Sequence, residues 1–445
     1  MVDFKILLGL YLVIGTVIVT VVHRARQSQE EYFVGGRAIG GAVSALTYAA
    51  TTYSAFMMVG LVGLAFTTGV GALIFELCYL AATVLLLAIY GRKIWQLARS
   101  QGLISPMELF SGRFGRLTST IGTLVAIIAL IPYTSTQIIG LALIFESAGG
   151  FSFAVGAAFA AAIIALWAIL GGLRGVALTD ALQGVFMLVV AVIAVIWVGN
   201  RFKGFDLSSF PNAFWTPARF VNLTLPWIFF AVTNPQVVQR LFIPRDRQAF
   251  RRMIVYFGIF GLLYTLIVTL VGFSARFGMI QGVFPEVADR DTVIIEVMRL
   301  MGRWLAVPLA LSIIFAAVST ANSIVLTLSS MIVRDLFRQK ARVWLGRGMI
   351  LALTALVFLF SLSRPSYIVE LAVTSSSILL CFLPLIFGIF HWKRGARATG
   401  LVTIVGGAAC AIVLGALRVP LSSLYTLVVS FGLFFLVGLF EGRRA

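Results

Sequence analysis

Residues 45–61 read Ala-Leu-Thr-Tyr-Ala-Ala-Thr-Thr-Tyr-Ser-Ala-Phe-Met-Met-Val-Gly-Leu. They lie inside an apolar run, 41–66, long enough to cross a ~30 Å hydrocarbon core as a helix. At the centre of that run stand Thr51, Thr52, Tyr53 and Ser54. A polar, β-branched cluster makes a poor helix centre and a good place to unwind, because its hydroxyls can re-satisfy backbone groups freed in the membrane. The spacing therefore predicts a helix broken at mid-bilayer. Five spans further on, Thr233-Asn234-Pro235-Gln236 repeats the theme. Pro235 has no N–H to give and its ring clashes with the preceding turn. Two interrupted membrane helices in corresponding positions point to a transporter built from inverted repeats, with its site at the interruptions.

The rest of the chain agrees. Of 445 residues, 60% are hydrophobic and only 11% charged, and the mean hydropathy is +1.05. A soluble domain carries about a quarter charged residues, so this is an all-α, polytopic membrane protein. Thirteen spans are predicted, at about 4–22, 41–66, 69–90, 118–145, 151–171, 176–199, 219–242, 253–277, 304–333, 348–363, 366–390, 398–417 and 421–440. The first lacks a basic start and a cleavage site, so it reads as a membrane helix and not as a signal peptide. With the N-terminus outside, the cytoplasmic segments hold Arg24, Arg26 and Arg37; Arg92, Lys93, Arg99, Arg113 and Arg116; and Arg174. They also hold Arg240, Arg245, Arg247, Arg251 and Arg252; Arg334, Arg338, Lys340, Arg342 and Arg347; Lys393, Arg394 and Arg397; and Arg443 and Arg444. That is most of the 34 basic residues, as the positive-inside rule requires of the cytoplasmic side of a cell's inner, or plasma, membrane. The net charge of +18 then reflects topology and attraction to anionic lipid, not nucleic-acid binding.

Several function classes are weighed and set aside. No nucleophile–base constellation or phosphate loop is visible, so the chain does not read as an enzyme. His23 and His391 stand at cytoplasmic helix ends among basic residues and read as interfacial, not as metal ligands. Cys78, Cys381 and Cys410 lie in apolar runs and read as small buried hydrophobes. No channel-filter pattern is seen. A solute sensor is the alternative from another class; the chain closes at Arg443-Arg444-Ala445, so a sensor would signal through a separate partner.

Polar groups at membrane depth mark the transport chemistry. The ninth span carries Ala316-Ala317-Val318-Ser319-Thr320-Ala321-Asn322-Ser323. A hard cation wants oxygen ligands. The hydroxyls of Ser319 and Thr320, with carbonyls freed in the broken second span, would supply them to a sodium ion. Three acids fall within spans, Glu76, Asp180 and Glu370, and each is costly enough to be a functional candidate. Proton coupling through Asp180 or Glu76 is the rival within transporters. The outer segment 278–303 reads as a solvated connector or a short helical lid, and 104–115 as a segment lying flat on the inner surface.

The chain resembles the sodium:solute symporter family. The resemblance rests on Glu31-Tyr32-Phe33-Val34-Gly35-Gly36-Arg37, the Thr-Tyr-Ser-Ala break, and Gly171-Gly172-Leu173 with Thr179-Asp180 and Gln183. It also rests on Asn234-Pro235-Gln236-Val237-Val238-Gln239-Arg240, Ser319-Thr320 with Arg334-Asp335-Leu336, and Trp392-Lys393-Arg394. It implies a leucine-transporter-like core of two inverted five-helix repeats. Residues 1–40 would form an extra helix and cytoplasmic loop, 41–200 the first repeat, 201–218 an extracellular loop, 219–397 the second repeat, and 398–445 two final helices. The implied sodium site is the carbonyls of Ala50, Tyr53 and Ala316 with the hydroxyls of Ser319 and Thr320. Asp180, Asn322 and Ser323 are an implied second cation or proton site. The solute would meet Thr52, Met57, Glu76, Tyr133, Gln137, Trp227, Thr233 and Asn234. Sodium is the coupling ion, no organic cofactor is implied, the solute is a small polar organic molecule, and a monomer suffices. The family's proline carriers have an Asp where this chain has Thr52, and the solute's identity is left open.

Overall fold

In the computed structural model, residues 2–22, 28–339, 342–363 and 367–441 are described. Arg24, Arg26, Lys340, Arg443 and Arg444, on which part of the predicted orientation rests, lie outside them, as does His23, read above as interfacial. Among the described residues the chain is helical throughout, with no strand beyond an isolated bridge between Ile39 and Pro244. The helices are α1 (Val2–Val22), α2 (Gln29–Val34), α3 (Gly41–Thr52), α4 (Phe56–Thr68) and α5 (Gly71–Ser100). Next come α6 (Glu108–Phe114), α7 (Arg116–Gly149) and α8 (Phe153–Phe202). Three short pieces follow, α9 (Pro217–Ile228), α10 (Phe230–Thr233) and α11 (Pro235–Arg240). The remainder are α12 (Arg247–Ile280), α13 (Val293–Leu300), α14 (Arg303–Leu336), α15 (Val343–Ser361), α16 (Ile368–His391), α17 (Arg397–Ala416) and α18 (Ser422–Glu441).

Ten of these helices are long and apolar enough to cross a membrane, or eleven when the bent pair α3 and α4 is taken as one span. The sequence reading of thirteen divides 151–199 in two and joins 219–242. At ~1.5 Å per residue the 50 residues of α8 would run to ~75 Å, more than twice a bilayer core. The helix is interrupted at Gly172, whose φ of 50° and ψ of −164° are not helical. A side chain there would sit 2.8 Å from the Tyr32 carbonyl, so only glycine fits. Tyr32 in turn gives its hydroxyl to the Ala168 and Ile169 carbonyls, at 3.0 and 3.1 Å. Two strings far apart in sequence thus build one junction.

α14 is the buried axis of the molecule, packed against α7 and α8, while α3 packs on α8 and α12. α1 and α12 turn Leu10, Val13, Val17, Val255, Ile259 and Leu263 outward as a lipid-facing belt. Cys381 is buried, but Cys78 and Cys410 are half-buried on such outer faces, where a small apolar residue suits lipid as well as core.

Segment 104–115 does not simply lie on a surface. Ser105, Leu109, Phe110 and Phe114 are buried, and the segment clamps the end of α14. The Asp335 carboxylate accepts hydroxyls from Ser105, from Ser119 at 2.7 Å and from Thr123 at 3.3 Å, and Glu108 pairs with Arg334 at 2.6 Å. Asp335→Ala leaves these donors without an acceptor and should destabilise the fold by about 2–4 kcal/mol, read as a lowered unfolding temperature in detergent; a shift within error would show that the clamp contributes nothing.

Segment 278–303 is a partly helical cover. Val293, Ile294 and Val297 of α13 are buried, and the segment packs on α4 and α12. Asp291 accepts the Ile368 amide at 2.9 Å. Burial pushes its carboxyl up to about 6, and Asp289 and Glu370 add to this, while the Ile368 amide and Arg290 oppose it. An unfolded Asp titrates near ~3.9, so the folded protein holds this proton more tightly. Stability from this group is therefore full below about pH 4 and falls as pH rises to about 6, by roughly 3 kcal/mol. Asp291→Asn should flatten unfolding temperature across that window; an unchanged slope would place the titration elsewhere.

Candidate functional site

The predicted break is present. α3 ends at Thr52, Tyr53 takes φ −88° and ψ 84°, and α4 restarts as a π-turn at an angle of 52° to α3. The freed backbone groups can be followed one by one. Ala55 gives its N–H to Gln137 Oε1 at 3.1 Å, and Phe56 gives its own to Ser54 Oγ at 3.1 Å. On the carbonyl side, Ala50 accepts from Ser319 Oγ and from Thr320 Oγ1, both at 2.9 Å, and Thr51 accepts from Thr320 Oγ1 at 3.2 Å. Ser319 also reaches the Ala316 carbonyl at 3.0 Å. All of these side chains are fully buried. Gly140 on α7 allows the approach, since a Cβ there would lie 2.8 Å from that of Ala55.

Four of the five predicted sodium ligands, Ala50, Ala316, Ser319 and Thr320, therefore meet through direct hydrogen bonds. Tyr53 stands at the break itself, its N–H on the Ala49 carbonyl at 2.7 Å. The donor set is neutral oxygen throughout, the chemistry a hard monovalent cation prefers over a transition metal. Hydroxyl hydrogens rotate freely, so both lone-pair sets can turn to a cation while the carbonyls keep their places.

Of the second predicted cluster, Asp180 and Ser323 are linked through Arg240, a residue the sequence reading placed elsewhere, while Asn322 is buried with no hydrogen bond to either among the described residues. Asp180 Oδ2 accepts Thr47 Oγ1 at 2.6 Å, and Thr51 and Ser323 share a hydroxyl bond of 2.9 Å. The Arg240 guanidinium bonds Ser323 Oγ and interacts with the Asp180 charge. Counted above among the cytoplasmic charges, Arg240 is in fact fully buried. The physical reason is Asp180, a counter-charge that makes a buried guanidinium tolerable. Arg37 likewise is 7% exposed, tied to the Leu103 carbonyl at 2.6 Å and to Glu30 at 2.7 Å. Asp180 Oδ1, Asn322 Oδ1 and Arg240 Nε and Nη1 have no hydrogen-bond partner among the described residues.

The predicted solute residues divide into two kinds. Gln137 spends its amide on Ala55 and, at 2.8 Å, on Thr136, and Thr52 bonds back to the Tyr48 and Ala49 carbonyls. Thr233 bonds back to the Phe229 carbonyl, and Asn234 bridges Thr233 and Ser376. These hold the two breaks in shape. Glu76 and Trp227 are different. Glu76 is buried, its carboxylate held by the Trp227 side chain and its Oε2 without a hydrogen-bond partner among the described residues. Around it Trp227 packs 5.0 Å from Phe56, 6.1 Å from Phe75 and 5.2 Å from Phe230. Tyr133 stands 6.3 Å from Phe230, and Met57 is buried in the π-turn. Glu370 is not a lone membrane acid. It lies in the first turn of α16 and pairs with Arg290 and, at 3.9 Å, with Arg219.

Comparison with known proteins agrees with this architecture. The family model described as the sodium:solute symporter family matches residues 32–407. The sodium/pantothenate symporter of Escherichia coli K12 is 28% identical over 86% of this chain and 84% of its own length. The osmoregulated proline transporter of Bacillus subtilis is 26% identical over 93% and 88%. Among solved structures, a sodium-coupled sialic acid symporter in a substrate-bound, outward-open state superposes with a TM-score of 0.85 at 16% identity, over 100% of this chain and 99% of that one. A nucleobase-cation-symport-1 transporter in a closed conformation gives 0.63 at 12% identity, over 94% and 97%.

Proposed function

The chain belongs to the sodium:solute symporter family, has the leucine-transporter-like fold and is a sodium-coupled symporter of a small solute; on that premise we propose that sodium binds between the α3 break and α14. Its ligands are the carbonyls of Ala50, Tyr53 and Ala316 and the hydroxyls of Ser319 and Thr320. The observation that carries this is the pair of hydroxyls on one freed carbonyl, Ala50. With the Thr320 bond to the Thr51 carbonyl and the Thr51–Ser323 hydroxyl pair, these contacts join the first broken helix to the buried axis, and a cation shared among the Ala50, Ser319 and Thr320 oxygens would join them more strongly.

The solute is bound beside the same break, against Glu76, Met57, Tyr133 and Trp227, with Thr52, Gln137, Thr233 and Asn234 fixing the backbone around it. Sodium entering from outside favours the arrangement in which α3 and α14 are bridged and the solute pocket is formed. Each ligand shifts the equilibrium only through its preference for that arrangement. A reciprocal coupling of ~1–3 kcal/mol is the usual scale. The sodium gradient and the membrane potential, ~2.3 kcal/mol per charge per 100 mV, drive import by alternating access. The termini follow the arginine pattern, outside for Met1 and cytoplasmic for Ala445. Asp180, Asn322 and Ser323 form the second cation or proton site, in which the Arg240 charge competes with any arriving cation.

The test is the unfolding temperature of the purified protein against NaCl, with KCl and choline chloride at matched ionic strength. A saturable rise confined to sodium is expected. A rise of equal size in all three salts, or a response to pH alone, would overturn the sodium site in favour of proton coupling.

A further inference from the structure

The face expected to be extracellular holds a cavity of about 940 Å³ between α9, α16 and the α17–α18 turn. Among the described residues three guanidinium groups line it, Arg219, Arg290 and Arg418, against one carboxylate, Glu370. Arg219 stacks 3.8 Å over Phe214, and Arg290 stacks 4.4 Å over Tyr367. Stacking fixes the plane of a guanidinium and leaves its N–H edge free for a bidentate partner. Glu370 meets only part of this demand, one oxygen toward each of Arg290 and Arg219. Among the described residues Arg290, with a side chain 8% exposed, keeps an unpartnered buried Nε, and Arg418 is exposed with no ion-pair partner. Asp291, the next acid, does not line the cavity and is held by the Ile368 amide. A concave site with an excess of one charge sign concentrates ligands of the other.

The cavity also leads somewhere. Leu223 and Ser377 line it, and Trp227 lies one turn below Leu223 on the same helix. Beside Ser377, Ser376 bonds Asn234 at 3.5 Å. The cavity thus lies within about one helical turn of residues of the proposed solute pocket.

We propose that this cavity is a binding site for a small carboxylate-bearing solute, received on Arg219 and Arg418 and then exchanged for Glu370 on Arg290. The site stands on its own geometry; only the onward route to the solute pocket rests on the symport reading. Because Arg290 belongs to the cover over 278–303 and Glu370 to α16, the exchange also loosens the ion pair that joins the two.

The full chain, reconstituted in phosphatidylcholine nanodiscs, is melted against rising butyrate and benzoate, with butyramide and benzamide as uncharged twins and NaCl titrated in parallel. The acids should raise the unfolding temperature saturably and the amides should not. Arg219→Gln with Arg418→Gln should weaken the response about tenfold. Glu370→Gln removes the competing carboxylate and should strengthen it several-fold, a change of opposite sign that misfolding cannot imitate. Equal responses to acids and amides, or a response unchanged in both variants, would overturn the proposal. So would a site that phosphatidylglycerol fills while soluble acids have no effect, since that marks a lipid headgroup site. The parallel sodium titration keeps the two readings apart. A sodium shift without a carboxylate response removes the anion site alone, and the reverse removes the sodium site alone.

Discussion

Replacing Ser319 and Thr320 together by alanine is expected to weaken sodium binding by about 100-fold or more. Each hydroxyl lost from a charged ligand is worth roughly 1.5–3 kcal/mol, and two such losses exceed the roughly 3 kcal/mol that 100-fold represents. The same change leaves the Ala50 and Thr51 carbonyls without their donors, so some loss of stability accompanies it. Thr320→Ser separates the two effects. It keeps the oxygen, drops only a methyl group, and should retain the sodium response nearly in full. Sodium titrations of unfolding temperature read all three proteins on one scale. An undiminished sodium shift in the double variant would remove the hydroxyls from the site, whatever the variant's basal stability.

The second large effect belongs to Arg240. Arg240→Gln leaves Asp180 buried without its counter-charge, with Thr47 as its one side-chain hydrogen-bond partner among the described residues. Breaking a contacting buried ion pair from one side typically costs about 3–5 kcal/mol; Arg240 and Asp180 interact at longer range, without a direct ion-pair contact among the described residues, so the loss should lie below that figure while still leaving the Asp180 charge uncompensated. Adding Asp180→Asn removes that charge, and the pair of substitutions should recover more than half of the loss. A double-mutant cycle on unfolding midpoints measures the coupling directly. Simple additivity would show that the two groups do not compensate one another. If Asp180 receives a second cation, Arg240→Gln should also let added sodium or protons stabilise the variant more than the parent.

Why some of this was legible in the sequence and some was not has a physical basis. A break in a membrane helix must be satisfied by nearby polar groups, and these advertise themselves against an apolar background. Thr51 to Ser54, Pro235, and Ser319-Thr320 were all visible for that reason. Gly171-Gly172 was visible as part of a family string, but its purpose, the close approach of Tyr32, is a tertiary fact. Arg240 was misplaced because local sequence offers no sign of its depth. It stands at the head of a run of true loop arginines, Arg245, Arg247, Arg251 and Arg252, and its counter-charge lies on another helix. Glu370 was noticed as an acid in a span, but its two arginine partners come from distant segments. Gln137 shows the converse. The sequence reading makes it a solute contact, and the structure spends its amide on the backbone of the break.

The same contrast explains the peripheral segments. An amphipathic piece such as 104–115 or 293–300 looks in one dimension like a surface element. Only the packed structure shows its apolar face on the core and its polar groups clamping a neighbour, as Glu108 and Ser105 do at the end of α14.

The central claim is that one sodium ion bridges the broken α3 and the buried α14. Its most direct test is equilibrium binding of radioactive sodium to the purified protein in excess potassium. Saturable binding is predicted, undisturbed by potassium, lost in Ser319→Ala with Thr320→Ala and kept in Thr320→Ser. Saturable binding of equal strength in the double variant would contradict the account, as would a protein that binds no sodium yet moves solute on a pH gradient alone.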